Sequence, residues 1–140
     1  MKASISAVFL SLLVSGLACF ADDAPSSDST IQQRLVGTWF YNIRELGSSS
    51  TTTIGTNGDF VEVNVTDPNF LKSGESRTNR LEGTVEIKDG LTIFTFKRVS
   101  FTNQPVHVMF TNVVIRVTDH EWVCHDLGKS DPIILKRVAR

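Results

Sequence analysis

The chain has 140 residues, with 14 Lys and Arg against 15 Asp and Glu, a formal charge of −1 and 41% hydrophobic residues. That length accommodates one domain with its own core and not two. The near-neutral balance excludes the clustered cations on which nucleic-acid binding rests, and a strongly anionic membrane as a partner.

In chain order the first feature is an export signal. Lys2 precedes an uncharged, mostly apolar run from Ala3 to Ala21, which Asp22 and Asp23 end. A basic start, a short apolar stretch and small residues at its exit make residues 1–21 a secretory signal peptide, too short for a comfortable membrane span. Cleavage is expected after Ala21, where Cys19 and Ala21 fill the two positions that require small side chains. A second reading takes Leu17-Ala18-Cys19 as a lipobox and Cys19 as a lipidated first residue, although Gly16 stands where that motif has a large apolar side chain. The expected location is therefore exported, periplasmic or secreted, with a lipid anchor through Cys19 as the alternative. Removing 21 of 140 residues leaves 119, with Cys124 the remaining cysteine, so no internal disulfide is available and no span remains.

Residues 22–29 are Asp, Ala, Pro and Ser with no large apolar side chain, a flexible lead-in to a β domain over 30–140. Ser29 and Gln32 have capping-box spacing, which predicts a short helical turn over Thr30 to Leu35. From there the apolar period becomes two. Trp39, Tyr41 and Ile43 share one face of a first strand. Ser48 to Thr53 is either an edge strand or a loop. After the Asn57-Gly58-Asp59 turn, Val61, Val63 and Val65 share a face, and Leu81, Gly83, Val85 and Ile87 share another. Lys88-Asp89-Gly90 predicts a tight hairpin into Leu91 to Phe101. Asn103-Gln104-Pro105 interrupts the pattern, and Val106 to Thr118 resumes it with Val106, Val108, Phe110 and Val114 facing one way and Met109, Val113, Ile115 and Val117 the other. Thr118-Asp119-His120 makes a turn, and Glu121 to His125 and Ile133 to Val138 are the last strands. Seven to eight short strands joined by hairpin signals predict an all-β fold, a single antiparallel up-and-down meander closed into a small barrel, with a β-sandwich as the alternative.

Gly37-Thr38-Trp39, just after the capped turn, resembles the Gly-x-Trp hallmark of the lipocalin-like proteins of the calycin group. The Gly58-Asp59-Phe60 turn and Leu81-Glu82-Gly83-Thr84 extend the resemblance loosely over Val36 to Val138. It implies a barrel in which Gly37 allows tight chain entry and Trp39 plugs the closed end beneath a basic side chain of the last strand. That partner would be Arg137, which shares a face with Ile133 and Leu135. Such proteins bind small apolar or amphipathic molecules. Here Tyr41, Phe94, Phe96 and Phe110 are the candidate lining of the interior or mouth, the mouth being ringed by Gly47 to Gly58, Asp67 to Arg80 and Gly128 to Asp131. Short strands leave open that the same side chains simply fill the interior.

The remaining residues carry little chemistry by spacing. His107, His120 and His125 lie near Cys124, Glu121 and Asp126. Adjacent strand residues point to opposite faces, however, so no metal site is expected. The same parity keeps His125 from Cys124, which reads as a small core residue rather than a nucleophile. The carboxylates Glu45, Asp59, Glu62, Asp67, Glu75, Glu82, Glu86, Asp89 and Asp119 are scattered, and no spacing selects a catalytic pair among them. No phosphate loop, nucleophile elbow or other cofactor motif is present. The expectation is an exported, non-enzymatic binding module without a cofactor. Its partner is a small apolar ligand or another exported protein, the latter if the domain is structural with a filled core. A hydrolase with an unrecognised site is the third reading.

Overall fold

A computed structural model describes residues 27–43, 47–70, 77–100 and 106–139. The expected signal peptide with Cys19, the first part of the expected lead-in, and Glu45, Glu75, Phe101 and Asn103 to Pro105 lie outside the described residues. The chain runs α1 (Asp28–Leu35), β1 (Gly37–Ile43), β2 (Ser48–Ile54), β3 (Asp59–Thr66), a 3-10 turn at Pro68–Phe70, β4 (Arg77–Lys88), β5 (Leu91–Val99), β6 (Val108–Val117), β7 (Glu121–Asp126) and β8 (Ile133–Ala139). Each strand pairs antiparallel with the next, and β8 returns to β1, so the meander closes into an eight-stranded barrel and not a sandwich. Among the described residues no helix is long and apolar enough to cross a membrane.

Turn chemistry explains the short connections. Asp89 and Gly90 both have positive φ, 52° and 74°, the conformation a two-residue hairpin matching strand twist demands, and Lys88 pairs with Leu91 across them. At the other helix-end turn Gly58 has φ 81°, and Asn57 Oδ1 accepts from Asp59 N at 3.1 Å. Helix α1 starts two residues earlier than the capping-box spacing predicts: Ser27, not Ser29, is the N-cap, its hydroxyl accepting from Thr30 N. Asp28 then has its carboxylate free to accept from Asp89 N and Gly90 N at 2.8 and 2.9 Å, tying the helix to the β4–β5 turn.

The helix closes one end of the barrel. Ile31 and Leu35, one turn apart, are 5% and 1% exposed and pack with Trp39, Ile54, Phe60, Val85, Phe94, Val117, Trp122, Cys124 and Leu135. Trp39 is fully buried, and its Nε1–H donates to Leu35 O at 2.7 Å, satisfying a carbonyl that the helix end leaves over. Gly37 has φ 130°, a value that excludes a side chain. Arg137 pairs with Trp39 across β8 and β1, its guanidinium carbon 4.0 Å from the indole centroid. It donates to Val36 O at 2.7 Å and to Arg34 O. Gly37, Trp39 and Arg137, the residues expected to form a plug, thus meet at this end of the barrel, with the guanidinium over the indole face. Lysine cannot reproduce the planar fork, so Arg137→Lys is expected to lose about 2 kcal/mol in urea unfolding.

One expectation of side-chain direction fails, for a backbone reason, and in another strand the structure decides which face is inside. A bulge between Val114 and Arg116 shifts the parity of β6, so Val117 joins Val114 inside, 5% exposed, rather than facing out with Met109. In β3 the valines do share a face, but it is the outer one. Phe60, Glu62 and Asn64 pair on the inward side with Gly83, Leu81 and Asn79. Ser48–Ile54 is a full strand paired on both sides, because closure gives it two neighbours. The predicted loop from Asp67 to Arg80 is shorter, since Arg77 to Arg80 belong to β4.

Candidate functional site

In a meander, alternate connections lie at opposite ends. The end of the barrel at Ile43, Gly47, Asp67, Arg77, Val108 and Leu127 to Asp131 is the mouth, while α1 and the turns at Gly58, Asp89–Gly90 and Thr118–His120 form the closed end. The expected mouth is therefore right for Gly47, Asp67 and Gly128 to Asp131, whereas Gly58 sits at the far end.

The interior divides into two halves. Toward the helix it is packed: Phe60 meets Phe94 and Phe96 edge-on with centroids 5.0 and 5.4 Å apart, Phe94 stacks on Trp122 at 6.1 Å, and Trp122 meets Trp39 edge-on at 6.1 Å. Such offset and edge contacts are favourable and leave little void. Toward the mouth, residues whose register points them inward stay accessible to water. Phe110 is 42% exposed, and Tyr41, Ile43, Phe96 and Ile133 are half-buried. The four candidate lining residues therefore part company. Phe94 is core, 5% exposed, Phe96 bridges the two halves, and Tyr41 and Phe110 belong to the open half.

Polar side chains on the same wall were not singled out as lining by sequence reasoning. β2 contributes only small groups, Ser50 and Thr52, beside Tyr41 and Trp39. Glu62, on β3, takes Thr52 Oγ1 at 3.4 Å on one carboxylate oxygen and Asn64 Nδ2 at 2.9 Å on the other. Three strands further round, Asn112 of β6 pairs with Asp126 of β7, which lies opposite β3, and with the fully buried Thr92 of β5. Asp126 Oδ2 accepts from Lys129 Nζ at 2.6 Å, while Asp126 Oδ1 and Asn112 Oδ1 are buried without a hydrogen-bond partner, as is Trp122 Nε1. The available signal was the alternation of Glu62 and Asn64 with the valines, which becomes informative only once Phe60 is known to face in.

The histidine and cysteine candidates do not gather. Cys124 faces inward with Trp122 and is 0% exposed, while His125 is on the other parity, its Nδ1 2.9 Å from Asp126 O. His107 and His120 are exposed. Burial, and secondarily the charge of Asp126, pushes the Cys124 thiol up to about 12 from its ordinary 9.0, so it carries no thiolate at neutral pH. An unfolded chain releases this proton near 9 and the folded one only near 12, so this contribution to stability is complete below pH 9 and declines as pH rises between those values. Cys124→Ala is expected to be less stable at pH 7 yet to lose less between pH 9 and 11 than the parent, read by urea unfolding at each pH.

The outer wall carries ion pairs of a different kind. Glu82 pairs with Arg80 and Arg98, and Glu121 with Lys136 and Arg116. These hydrogen-bonded cations hold both carboxyls below the usual range. All are solvent-facing and of small energetic weight. Beside them on β6 and β8 lie exposed Met109, Ile115, Ile134 and Val138. Neither the known protein-family models nor the curated protein sequences match this chain.

Proposed function

We propose that this chain is an exported lipocalin-like binding module of the calycin type, without catalytic role, that takes a small amphipathic molecule into the mouth half of its barrel. The observation carrying this reading is the contrast along the barrel axis. One half is packed with interlocked aromatics, and the other presents Tyr41, Phe96 and Phe110 inward yet accessible beside the small side chains of β2. An apolar wall with a few polar groups is the usual make-up of a small-molecule site. Export rests on the signal-peptide pattern of residues 1–21. Native mass spectrometry of the protein recovered from its exported fraction tests both points. A chain beginning at Asp22 with a stoichiometric small-molecule adduct is expected, whereas a ligand-free chain or a diacylated Cys19 counts against the binding or the location respectively.

A second reading, a protein-interaction domain, draws on Met109, Ile115, Ile134 and Val138, which are 45–67% exposed on the outside of β6 and β8. The closed barrel offers no sheet edge for strand addition, so such a partner would dock on this face. A specific hetero-complex in the same spectrum, without adduct, is the outcome that favours it.

A further inference from the structure

We propose that the lip of the barrel at the start of β6 docks on a lipid surface, inserting Val108, Met109, Phe110 and Leu127 into a bilayer that carries a minority of anionic lipid. This goes beyond the binding reading above and does not depend on it. Val108, Met109 and Phe110 are 53%, 67% and 42% exposed. Successive strand residues point to opposite faces, so three exposed apolar neighbours mean that both faces of this stretch are uncovered. The register explains why. β6 starts at Val108, but its pairing with β7 starts only at Asn112. Leu127, 61% exposed, donates its backbone N–H to Thr111 O at 3.1 Å and adds a fourth apolar side chain to the same end. Scattered apolar residues on a surface need no explanation, whereas a contiguous group marks an interaction site. A rigid partner covers one face of a projecting strand. The boundary between head groups and acyl chains is fluid and takes in both.

The charge beside the lip fits such a surface. The chain is nearly neutral overall, but its cations are not spread evenly. Phe96 pairs with Val108, and Val106 N donates to Lys97 O at 3.4 Å, so exposed Lys97 and Arg98 flank the lip on the β5 side. Arg80 joins them through Glu82, which takes Arg80 at 2.8 Å and Arg98 at 3.4 Å. Three cations therefore face one carboxylate on this flank. On the other flank Lys129 Nζ is 2.6 Å from Asp126 Oδ2 and Asp131 follows two residues later, one cation against two carboxylates. The β5 flank, not the whole rim, thus meets the anionic head groups. Long Lys and Arg side chains suit this place, since their stems lie along apolar surface while their charges stay among the head groups. Each cation held near an anionic leaflet strengthens binding about fivefold.

The test sediments the protein recovered from its exported fraction with vesicles of phosphatidylcholine alone or with about one quarter phosphatidylglycerol. Binding is expected to the mixed vesicles and to be several-fold weaker to the neutral ones, the difference vanishing at high salt. Met109→Asp should weaken binding to both vesicles about tenfold, and Lys97→Glu should weaken binding to the mixed vesicles alone by about tenfold. Both side chains are exposed, so neither change disturbs the core. A tryptophan placed by Met109→Trp should be quenched by brominated lipid, and one placed by Val138→Trp, 63% exposed at the closed end, should not. A diacylated Cys19 would hold every variant to the vesicles, and this placement readout then decides. No binding to either vesicle, binding that both substitutions leave unchanged, or quenching in Val138→Trp but not Met109→Trp overturns the docking lip. So does a hetero-complex in the native mass spectrum that Met109→Asp dissolves while vesicle binding is unaffected, which would make this face a protein interface. Uptake of the neutral dye N-phenyl-1-naphthylamine reports on the interior alone, so its failure counts against the pocket and not against the lip.

Discussion

Trp39→Ala is expected to lower the free energy of unfolding by about 4 kcal/mol, the upper range for truncating a buried aromatic. The loss has three physical parts. The side chain is 0% exposed, so its removal leaves a cavity at the closed end between Leu35, Trp122 and the strands. Its Nε1–H no longer satisfies Leu35 O, at the C-terminus of a helix only eight residues long. Arg137 loses the face on which it lies, 4.0 Å from the ring. A helix of that length has little stability of its own and depends on this docking. Urea unfolding followed by the fluorescence of Trp122 measures the change, and a midpoint close to the parent's would show that Trp39 is not the plug.

Gly83→Ala is expected to cost about 3 kcal/mol, far more than a methyl group usually does on a strand, because the added carbon has nowhere to go. A Cβ at Gly83 falls inside the contact radius of Thr95 O and 2.9 Å from Phe60 Cε1. The pairing of β4 with β5 shifts register between Glu82 and Gly83, and the bulge brings the β5 backbone over this residue. Relief requires either the bulge to open or Phe60 to leave its edge-on contacts with Phe94 and Phe96. The same urea experiment reads the loss. A near-UV spectrum altered in the aromatic region would identify the second route.

Much of the barrel was legible in the sequence because its signals are local. Positive-φ turns need Asp-Gly or Asn-Gly pairs, and both are present at Asp89-Gly90 and Asn57-Gly58. Gly37, Trp39 and Arg137 were found through a short motif plus strand parity, and the register of β1 with β8 places Trp39 and Arg137 opposite each other. Bulges were not legible. Nothing in Val114-Ile115-Arg116 announces an extra residue, yet it decides that Val117 is core. The open half was missed for a different reason. Alternation shows which residues share a face but not which face is inside, and apolar content favours the wrong one in β3, where Val61, Val63 and Val65 face out and Glu62 and Asn64 face in. The unmatched acceptors of Asn112 and Asp126 come from strands separated by a turn and a bulge, a juxtaposition that no local spacing encodes.

The account stands on the mouth half of the barrel being open to a ligand, and filling it is the direct test. Ser50 is inward-facing, small and 8% exposed, paired with Tyr41 on one side and Asn64 on the other. Titration of N-phenyl-1-naphthylamine into the parent is expected to give saturable one-to-one binding, and Ser50→Trp, with circular dichroism matching the parent, is expected to abolish it. Undiminished dye binding by a folded Ser50→Trp would place the site elsewhere on the molecule and contradict the account.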